Sequence, residues 1–315
     1  MDLSSYVATI GSPGHGLAMR ELKPLSGLGP EDRADFWKAW QRLRDERRSQ
    51  IVGAMVELIE DNVDLDFSSV LTWCLEDQSA PVRERAVEGL WENESPAHCR
   101  RLLTLLRDDP APGVRAAAAS GLSRFAYMAE LDELDEEQAE RVRDALTTLS
   151  GDERQPLDVR RRALESTGYF AGDDDVQRRI QRAYESGEQL LKESALVAMG
   201  RSMLPRWLPT IGRELASPSP ALRYEAARAA GEMAEEARSL VTKLAPLTAD
   251  DDGEVATAAI WALGQIGGSA AKRALQQLSK SQDDARSQAA TDALAELELD
   301  GGLFGGDLGK FRGQG

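Results

Sequence analysis

The sequence is poor in aromatic residues, which make up 5% of its 315 residues although hydrophobic residues make up 42%. The apolar volume therefore comes mostly from Leu, Ala and Val, a composition that favours helices. Alternation of β-branched with polar residues, the pattern of a half-buried strand, is nearly absent. These shortages argue against a β architecture and predict an all-α fold.

Cysteine and histidine are equally scarce, with two residues of each type. Cys74 and Cys99 have no second Cys or His at the spacing of a zinc site, and two cysteines make no disulfide framework. Both lie on apolar helix faces, so we expect buried thiols. His98 adjoins Cys99, but neighbouring residues of a helix point in different directions and cannot form a catalytic pair. No metal, cofactor or catalytic residue is predicted.

The chain also lacks an excess of positive charge and long apolar runs. Its formal net charge is −16, which opposes binding to nucleic acid or to anionic membrane surfaces. No apolar run approaches the ~18 residues of a membrane-spanning helix, and the first residues lack the features of a secretory leader. We expect a cytoplasmic protein, monomeric by default, with no nucleic acid or membrane among its partners.

What the sequence does contain is an internal repeat. The stretch "ALRYEAARAAGEM" from Ala221 reads as a helix with one face of alanine, and six further segments align with it. A basic residue recurs at its third position, 30 to 33 residues apart except for one interval of 45. These basic residues are Arg83, Arg115, Arg160, Lys192, Arg223 and Arg286, and Ala256 is the exception.

A second amphipathic helix precedes most of these segments, and Pro, Gly or Asp clusters separate the helices. The repeating unit is therefore a helical hairpin. An alanine face cannot fill a core unless a neighbouring backbone comes close, toward the ~8 Å end of helix packing distances. Stacked hairpins provide this, because each second helix lies between flanking repeats.

The pattern resembles HEAT repeats, most closely the bacterial PBS-lyase HEAT-like type. The residues that carry the resemblance are Val82-Arg83, Val114-Arg115 and Val159-Arg160, with Ala86, Ala118 and Ala163. It implies a right-handed α-α superhelix of about seven hairpins plus an N-terminal helical cap. It also implies a ladder of Asp–Arg pairs between repeats, which is broken where Ala256 replaces the basic residue. The candidate carboxylates of this ladder are Asp77, Asp108, Asp109 and Asp252.

These observations divide the chain into four regions. Residues 1–29 are expected to be a flexible segment and 30–63 the helical cap, with an apolar face that includes Phe36 and Trp40. The repeat array is expected over 64–297. A Gly-rich, disordered tail is expected over 298–315.

Enzymatic alternatives find little support in the residues. Deoxyhypusine hydroxylase, which is also built of HEAT-like repeats, binds iron through His–Glu pairs, whereas neither His15 nor His98 is followed by Glu. The Asp cluster from Asp250 lacks the Glu that a calcium loop needs at its twelfth position, and we expect such clusters to cap helices. A bilin-lyase-like enzyme or accessory subunit stays open as the alternative function, and a nucleic-acid binder is less favoured.

The favoured function is a non-catalytic scaffold that binds a protein or peptide on the concave face of the array. Four aromatic residues of this aromatic-poor chain fall on the expected face, beside Arg and carboxylates, a combination typical of binding hot spots. The same rings would also suit packing between repeats, and this choice stays open. The predicted contact residues are Glu88, Trp91, Glu92, Tyr169, Arg201, Tyr224, Arg228, Glu232, Trp261 and Gln265.

Overall fold

The computed structural model describes residues 2–305, and every regular element among them is a helix. This confirms the all-α prediction. By their contacts, the described residues divide into two compact units, one that ends at Ser166 and one that begins at Thr167.

The first unit contains ten α-helices, the last of which ends at the boundary. They are α1 Leu3–Ile10, α2 Met19–Leu22, α3 Arg33–Trp40, α4 Asp45–Asp61, α5 Ser68–Cys74, α6 Ala80–Gly89, α7 Pro96–Asp108, α8 Pro112–Glu130, α9 Glu136–Gly151 and α10 Leu157–Thr167.

The second unit contains eight α-helices, and two 3-10 helices, Pro205–Trp207 and Ala234–Leu240, precede α13 and α15. The α-helices are α11 Asp174–Glu185, α12 Gln189–Arg201, α13 Leu208–Glu214, α14 Pro220–Glu232, α15 Val241–Leu247, α16 Gly253–Ile266, α17 Gly268–Leu278 and α18 Asp284–Gly305.

Proline and aspartate begin many of these helices. Proline occupies the first turn of α6, α7, α8 and α14, where its missing N–H costs no helical hydrogen bond. Asp173 and Asp252 accept hydrogen bonds from two backbone N–H groups each at the starts of α11 and α16. The capping role expected of the Asp clusters is confirmed at both places.

The core is the predicted mixture of Ala, Leu and Val with a few large rings. Trp73 and Trp207 are buried, and Trp207 donates from Nε1 to Gln177 Oε1 at 3.1 Å. Both Cys74 and Cys99 are buried, which confirms the expectation of buried thiols.

The two ends differ from the expected boundaries. Within 1–29, the helix α1 packs against α3 and buries Val7 and Ile10, while Leu22 and Leu25 are also fully buried. The region predicted to be flexible therefore contributes to the core, because its few apolar residues are spaced to meet the cap. Helix α18 continues to Gly305, so part of the predicted tail is helical. Residues 306–315 of that tail lie outside the described residues.

Ion pairs between repeats form the expected ladder with different members. Arg83 donates to both carboxylate oxygens of Asp109 at 2.8 Å, and Arg223 does the same to Asp250. Asp77 pairs with Arg48 at 3.0 Å, a partner in the cap helix α4. The other two predicted carboxylates do not take part, since Asp108 pairs with its neighbour Arg107 and Asp252 caps α16. Asp250 was missed because two further acids follow it directly and only the loop geometry separates their roles.

Candidate functional site

Seven of the ten predicted contact residues lie in the second unit, on α12, α14, α16 and just after α10. Helices α12, α14 and α16 pack in series, α12 against α14 and α14 against α16. Glycine or alanine at each crossing brings the backbones together. The seven residues are Tyr169, Arg201, Tyr224, Arg228, Glu232, Trp261 and Gln265.

A glycine precedes four of these seven residues, once in each repeat. These glycines are Gly168, Gly200, Gly231 and Gly264, and each faces an alanine of the next helix. A Cβ at Gly200 would lie 2.8 Å from Ala229 Cα, and one at Gly231 would lie 3.0 Å from Ala262 Cα. The backbones are therefore in contact, which answers why this chain buries an alanine face. The residue after each glycine occupies the same position in its repeat.

Two of the aromatic rings lie under arginines. The Arg228 guanidinium carbon is 5.1 Å from the centre of the Trp261 ring, and that of Arg201 is 5.4 Å from the Tyr169 ring. Both distances suit a cation–π interaction. The edge of the Trp261 ring lies so close to Gly231 that a Cβ there would be 2.3 Å from Cζ3. Glycine 231 thus makes room for the ring of the following repeat.

Glu232 brings a carboxylate beside these guanidinium groups. Its Oε1 lies 3.8 Å from the nearest nitrogen of Arg228, and its side chain is 26% exposed. Burial raises the pKa of this carboxyl, and the charges of Arg201 and Arg228 partly offset the rise. Among the described residues, neither Glu232 Oε2 nor Arg201 Nε has a hydrogen-bond partner, although both atoms are buried. The cluster therefore has two guanidinium groups for one carboxylate and is incompletely hydrogen-bonded.

A cleft of about 670 Å³ opens beside this cluster, between α14 and α16. Tyr224, Arg228 and Trp261 line it, together with Glu254 and Thr257. A second cleft of about 440 Å³ also includes Tyr224 and Glu254, with Gln189, Ser219 and Glu225. Tyr224 and Glu254 line both clefts, so the two clefts are neighbours.

Sequence reasoning missed Glu254 and Thr257. Both share a face of α16 with Trp261, at intervals of three and four residues. That spacing was available in the sequence. Residue type gave no reason to single them out, because an exposed Glu and an exposed Thr are common on any solvent-facing helix.

The remaining three predicted residues belong to the first unit. Trp91 is 56% exposed, and Glu88 and Glu92 are exposed beside it in sequence. Partial burial, together with the charge of Glu84, raises the pKa of the Glu88 carboxyl. Trp91 occupies the repeat position at which the second unit has glycine. Its ring is exposed and is not packed between two close backbones.

The structure addresses the choice between packing and binding that the sequence left open. Trp261 packs between repeats and is also open to the cleft, since one side of its ring lies against Gly231 and Arg228 while another part lines the cleft. Tyr169 contacts Arg201 and is half-buried. Gln265 is exposed on α16.

Two kinds of reactive group bear on possible catalysis, namely clusters of metal ligands and the buried cysteine and histidine side chains. No cluster of three or more potential metal ligands occurs in residues 2–305. Burial raises the pKa of the Cys99 thiol to about 11 and lowers that of His98 to about 4, so neither is activated. None of the described helices is long and apolar enough to cross a bilayer.

Several solved structures are similar to this chain in fold. The complex of CpcE and CpcF of phycocyanin lyase from Nostoc sp. PCC7120 is 17% identical, with 73% of this chain and 94% of that chain covered and a TM-score of 0.50. Human deoxyhypusine hydroxylase is 17% identical over 94% of this chain and 97% of that one, at a TM-score of 0.37. Importin beta is 14% identical over 94% of this chain and 44% of that one, at 0.46. These similarities concern the fold alone.

No curated protein matches the chain significantly in sequence. A family model described as HEAT repeats matches residues 68–155 and 208–295, which together make up more than half of the chain. The second match contains Tyr224, Arg228, Glu232 and Trp261. The all-helical fold, the Asp–Arg ladder and the repeat period agree with that match, and the chain belongs to the HEAT-repeat family.

Proposed function

We propose that this protein is a non-catalytic scaffold that binds an extended segment of a partner protein in the cleft between α14 and α16. The observation that carries the proposal is the cleft itself, with Trp261 and Tyr224 in its wall and Arg228 stacked on the indole ring. HEAT-repeat arrays generally serve as protein-interaction scaffolds, which supports the same class of function.

The composition of the cleft suits a peptide. Trp, Tyr and Arg are the residue types that contribute most to binding energy at protein interfaces, because they offer large contact areas with polar ends. Burial of the open part of the Trp261 ring would release water without any need to rearrange the ring, since Gly231 and Arg228 already hold it. The site is therefore preorganised.

Polar groups around the rings would set the orientation of the bound segment. Glu254 and Thr257 lie on the same face of α16 as Trp261, and both are exposed. Arg228 is shared between the ring and Glu232, so its remaining N–H groups point to where a backbone carbonyl or a carboxylate would bind. We infer that the partner contributes an apolar side chain to the rings and its backbone to these polar groups.

A peptide-display selection on the immobilised protein tests the proposal. We expect selected peptides to bind the wild type and to lose about tenfold in affinity with Trp261→Ala, equivalent to ~1–2 kcal/mol. Trp91→Ala is the matched control, since that ring lies in the first unit, and it should bind the same peptides as the wild type. Circular dichroism checks that both variants are folded. Selected peptides that bind Trp261→Ala/Tyr224→Ala as tightly as the wild type would contradict the proposal.

A lyase-type role is the competing proposal, and the likeness to the phycocyanin lyase complex is the observation that favours it. A bilin titration followed by absorbance distinguishes the two. We expect an unchanged bilin spectrum. A spectral shift with the wild type that disappears with Trp261→Ala would show that the cleft holds a tetrapyrrole and would replace the peptide proposal.

A further inference from the structure

The interval of 45 residues in the repeat corresponds to a longer helix α8 in the first unit. This helix does not line the proposed cleft. The extra residues lengthen α8 to 19 residues, whereas α12, α14 and α16 have 13 or 14. The last turns of α8 and the loop to α9 therefore extend beyond the body of the repeat. A repeat does not need this extension to pack against its neighbours.

The extension carries an exposed apolar face. Tyr127 is 42% exposed and Leu131 is 46% exposed, and their spacing of four places them on one side of the helix. The opposite side is buried through Leu122, Phe125 and Ala126. The last turns of α8 thus have apolar side chains on two sides. One side is buried in the core, and the other, with Tyr127 and Leu131, is exposed.

Arg124 connects this face to the neighbouring repeat. It lies three residues before Tyr127, on the same face, and its guanidinium pairs with Glu94 in the segment that follows α6. Trp91, the most exposed aromatic residue described, belongs to that same segment. Large exposed side chains therefore occur both on α8 and on the segment after α6, which the Arg124–Glu94 pair joins. The positive charge of Arg124 is neutralised by this pair.

The segment that begins within this face is strongly acidic. Residues 130–137 contain six carboxylates and no Lys or Arg. Asp135 caps α9, and Glu137 pairs with Arg141 at 2.5 Å. Partial burial and the charge of Asp132 raise the pKa of the Glu130 carboxyl, as expected where acids are crowded.

We propose that the end of α8 is a second docking surface, which binds a cationic amphipathic helix of a partner protein. Tyr127 and Leu131 would contact its apolar side, and the carboxylates of residues 130–137 would contact its Lys and Arg residues. Charge complementarity favours a cationic partner. A second copy of this chain, which has a net charge of −16, would instead bring further acids to an acidic surface. An anionic partner is disfavoured for the same reason.

The experiment uses a fluorescent synthetic helix of leucine and lysine, amphipathic over about five turns, and a matched helix in which glutamate replaces lysine. We expect the full-length protein to bind the lysine helix in an anisotropy titration, more weakly as salt is added, and not to bind the glutamate helix. Tyr127→Ala/Leu131→Ala should weaken binding about tenfold. Glu130→Gln/Asp132→Asn/Glu133→Gln should reduce both the affinity and its salt dependence.

Matched controls separate this surface from general charge and hydrophobicity. Val63→Ala/Leu190→Ala removes exposed apolar side chains elsewhere, and Glu235→Gln/Glu236→Gln/Asp251→Asn removes the same number of exposed acids from the second unit. Both should bind like the wild type. Because every changed residue is exposed or half-exposed, all variants are expected to fold, and circular dichroism verifies this.

Three results would overturn the proposal. The first is that the control variants weaken binding of the lysine helix as much as the α8 variants do. The second is equal binding of the glutamate helix. The third is concentration-dependent dimerisation in analytical ultracentrifugation that Tyr127→Ala/Leu131→Ala abolishes, which would assign the surface to a second copy. Trp261→Ala should leave lysine-helix binding unchanged, so this proposal and that for the cleft fail independently.

Discussion

In the first unit, neighbouring repeats are joined through their loops by buried ion pairs, such as Arg83 with Asp109 and Arg48 with Asp77. In the second unit, α12, α14 and α16 touch backbone to backbone at Gly200 and Gly231. The first unit has Trp91 and Ser123 where the second has glycine. The second unit also has such an ion pair, between Arg223 and Asp250, and adds the close backbone contacts to it. The cleft beside α14 and α16 lies next to these contacts.

This contrast shows what an alanine and glycine face provides. Close backbones bring equivalent side chains of successive repeats together, so the ring of Tyr169 meets Arg201 and the ring of Trp261 meets Arg228. Where a large residue replaces glycine, as at Trp91, the side chain turns outward. In the second unit a ring held by its neighbours thus lines the cleft beside α14 and α16, whereas Trp91 in the first unit protrudes.

The largest effect is expected from the ladder of the first unit. Arg83→Ala leaves the Asp109 carboxylate, whose side chain is 4% exposed, without its bidentate partner. We expect a loss of about 3–5 kcal/mol in the free energy of unfolding, as for other broken buried ion pairs. Urea denaturation measures it, and hydrogen exchange of α6 and α8 locates it.

Two controls sharpen that prediction. Arg223→Ala removes the equivalent but more exposed ion pair of the second unit, and a smaller loss is expected. Arg107→Ala removes an exposed pair with Asp108 and should change stability by less than about 0.5 kcal/mol. Equal losses for Arg83→Ala and Arg107→Ala would contradict the importance of the buried ladder.

A smaller effect is expected from the glycine contacts of the second unit. In Gly200→Ala the new Cβ would lie 2.8 Å from Ala229 Cα, a backbone atom that cannot move alone. We expect a loss of about 1–3 kcal/mol from overpacking, measured by thermal or urea unfolding.

Gly121→Ala in α8 of the first unit is the matched control. Its Cβ would meet the Leu102 Cδ1 atom at 3.1 Å, the end of a flexible side chain. Alanine also favours the helix by roughly 0.5–1 kcal/mol over glycine, so little change or a gain is expected. A greater loss for Gly121→Ala than for Gly200→Ala would remove the proposed difference between the units.

The last effect is the contribution of His98, in the first unit, to the pH dependence of stability. His98 is buried against the ring of Phe125, and burial lowers its pKa to about 4 from an ordinary value of 6.5. The unfolded chain then binds more protons than the native one between these values. Stability should therefore rise with pH from about 4 to about 6.5 and be lost as pH falls through this window, by an amount on the order of 2 kcal/mol.

His98→Leu places an apolar side chain at this buried position and removes the titrating group. The slope of unfolding free energy against pH should become flatter over the window, and hydrogen exchange should show the change in α7 and α8 rather than in α14 and α16. An unchanged slope would mean that other groups cause the acid sensitivity.

The sequence allowed the repeat, the helical hairpins and most core positions to be predicted, because the period and the apolar faces are local patterns. It did not allow Asp250 to be chosen over Asp252, since that choice depends on which carboxylate the loop turns toward Arg223. Nor did it reveal the buried contacts of α1. Only two residues of this helix are buried, and their burial depends on the contact between α1 and α3.

The candidate site was predicted in part for the same reason. Tyr224, Arg228 and Trp261 share a cleft, as their common face suggested. Glu88, Trp91 and Glu92 lie in the other unit, and Glu254 and Thr257 were not foreseen. Residue types and spacing identify a helix face, but the cleft depends on how closely two helices approach.

By itself, the sequence determined that this protein is an all-helical array of HEAT-like hairpins, because the period of about 32 residues and the alanine faces are compatible with little else. Only the tertiary structure decided which residues meet across that array. Contacts such as that of Trp261 with Gly231 and Arg228 join residues about 30 positions apart, and their geometry follows from backbone separation, which no local pattern records.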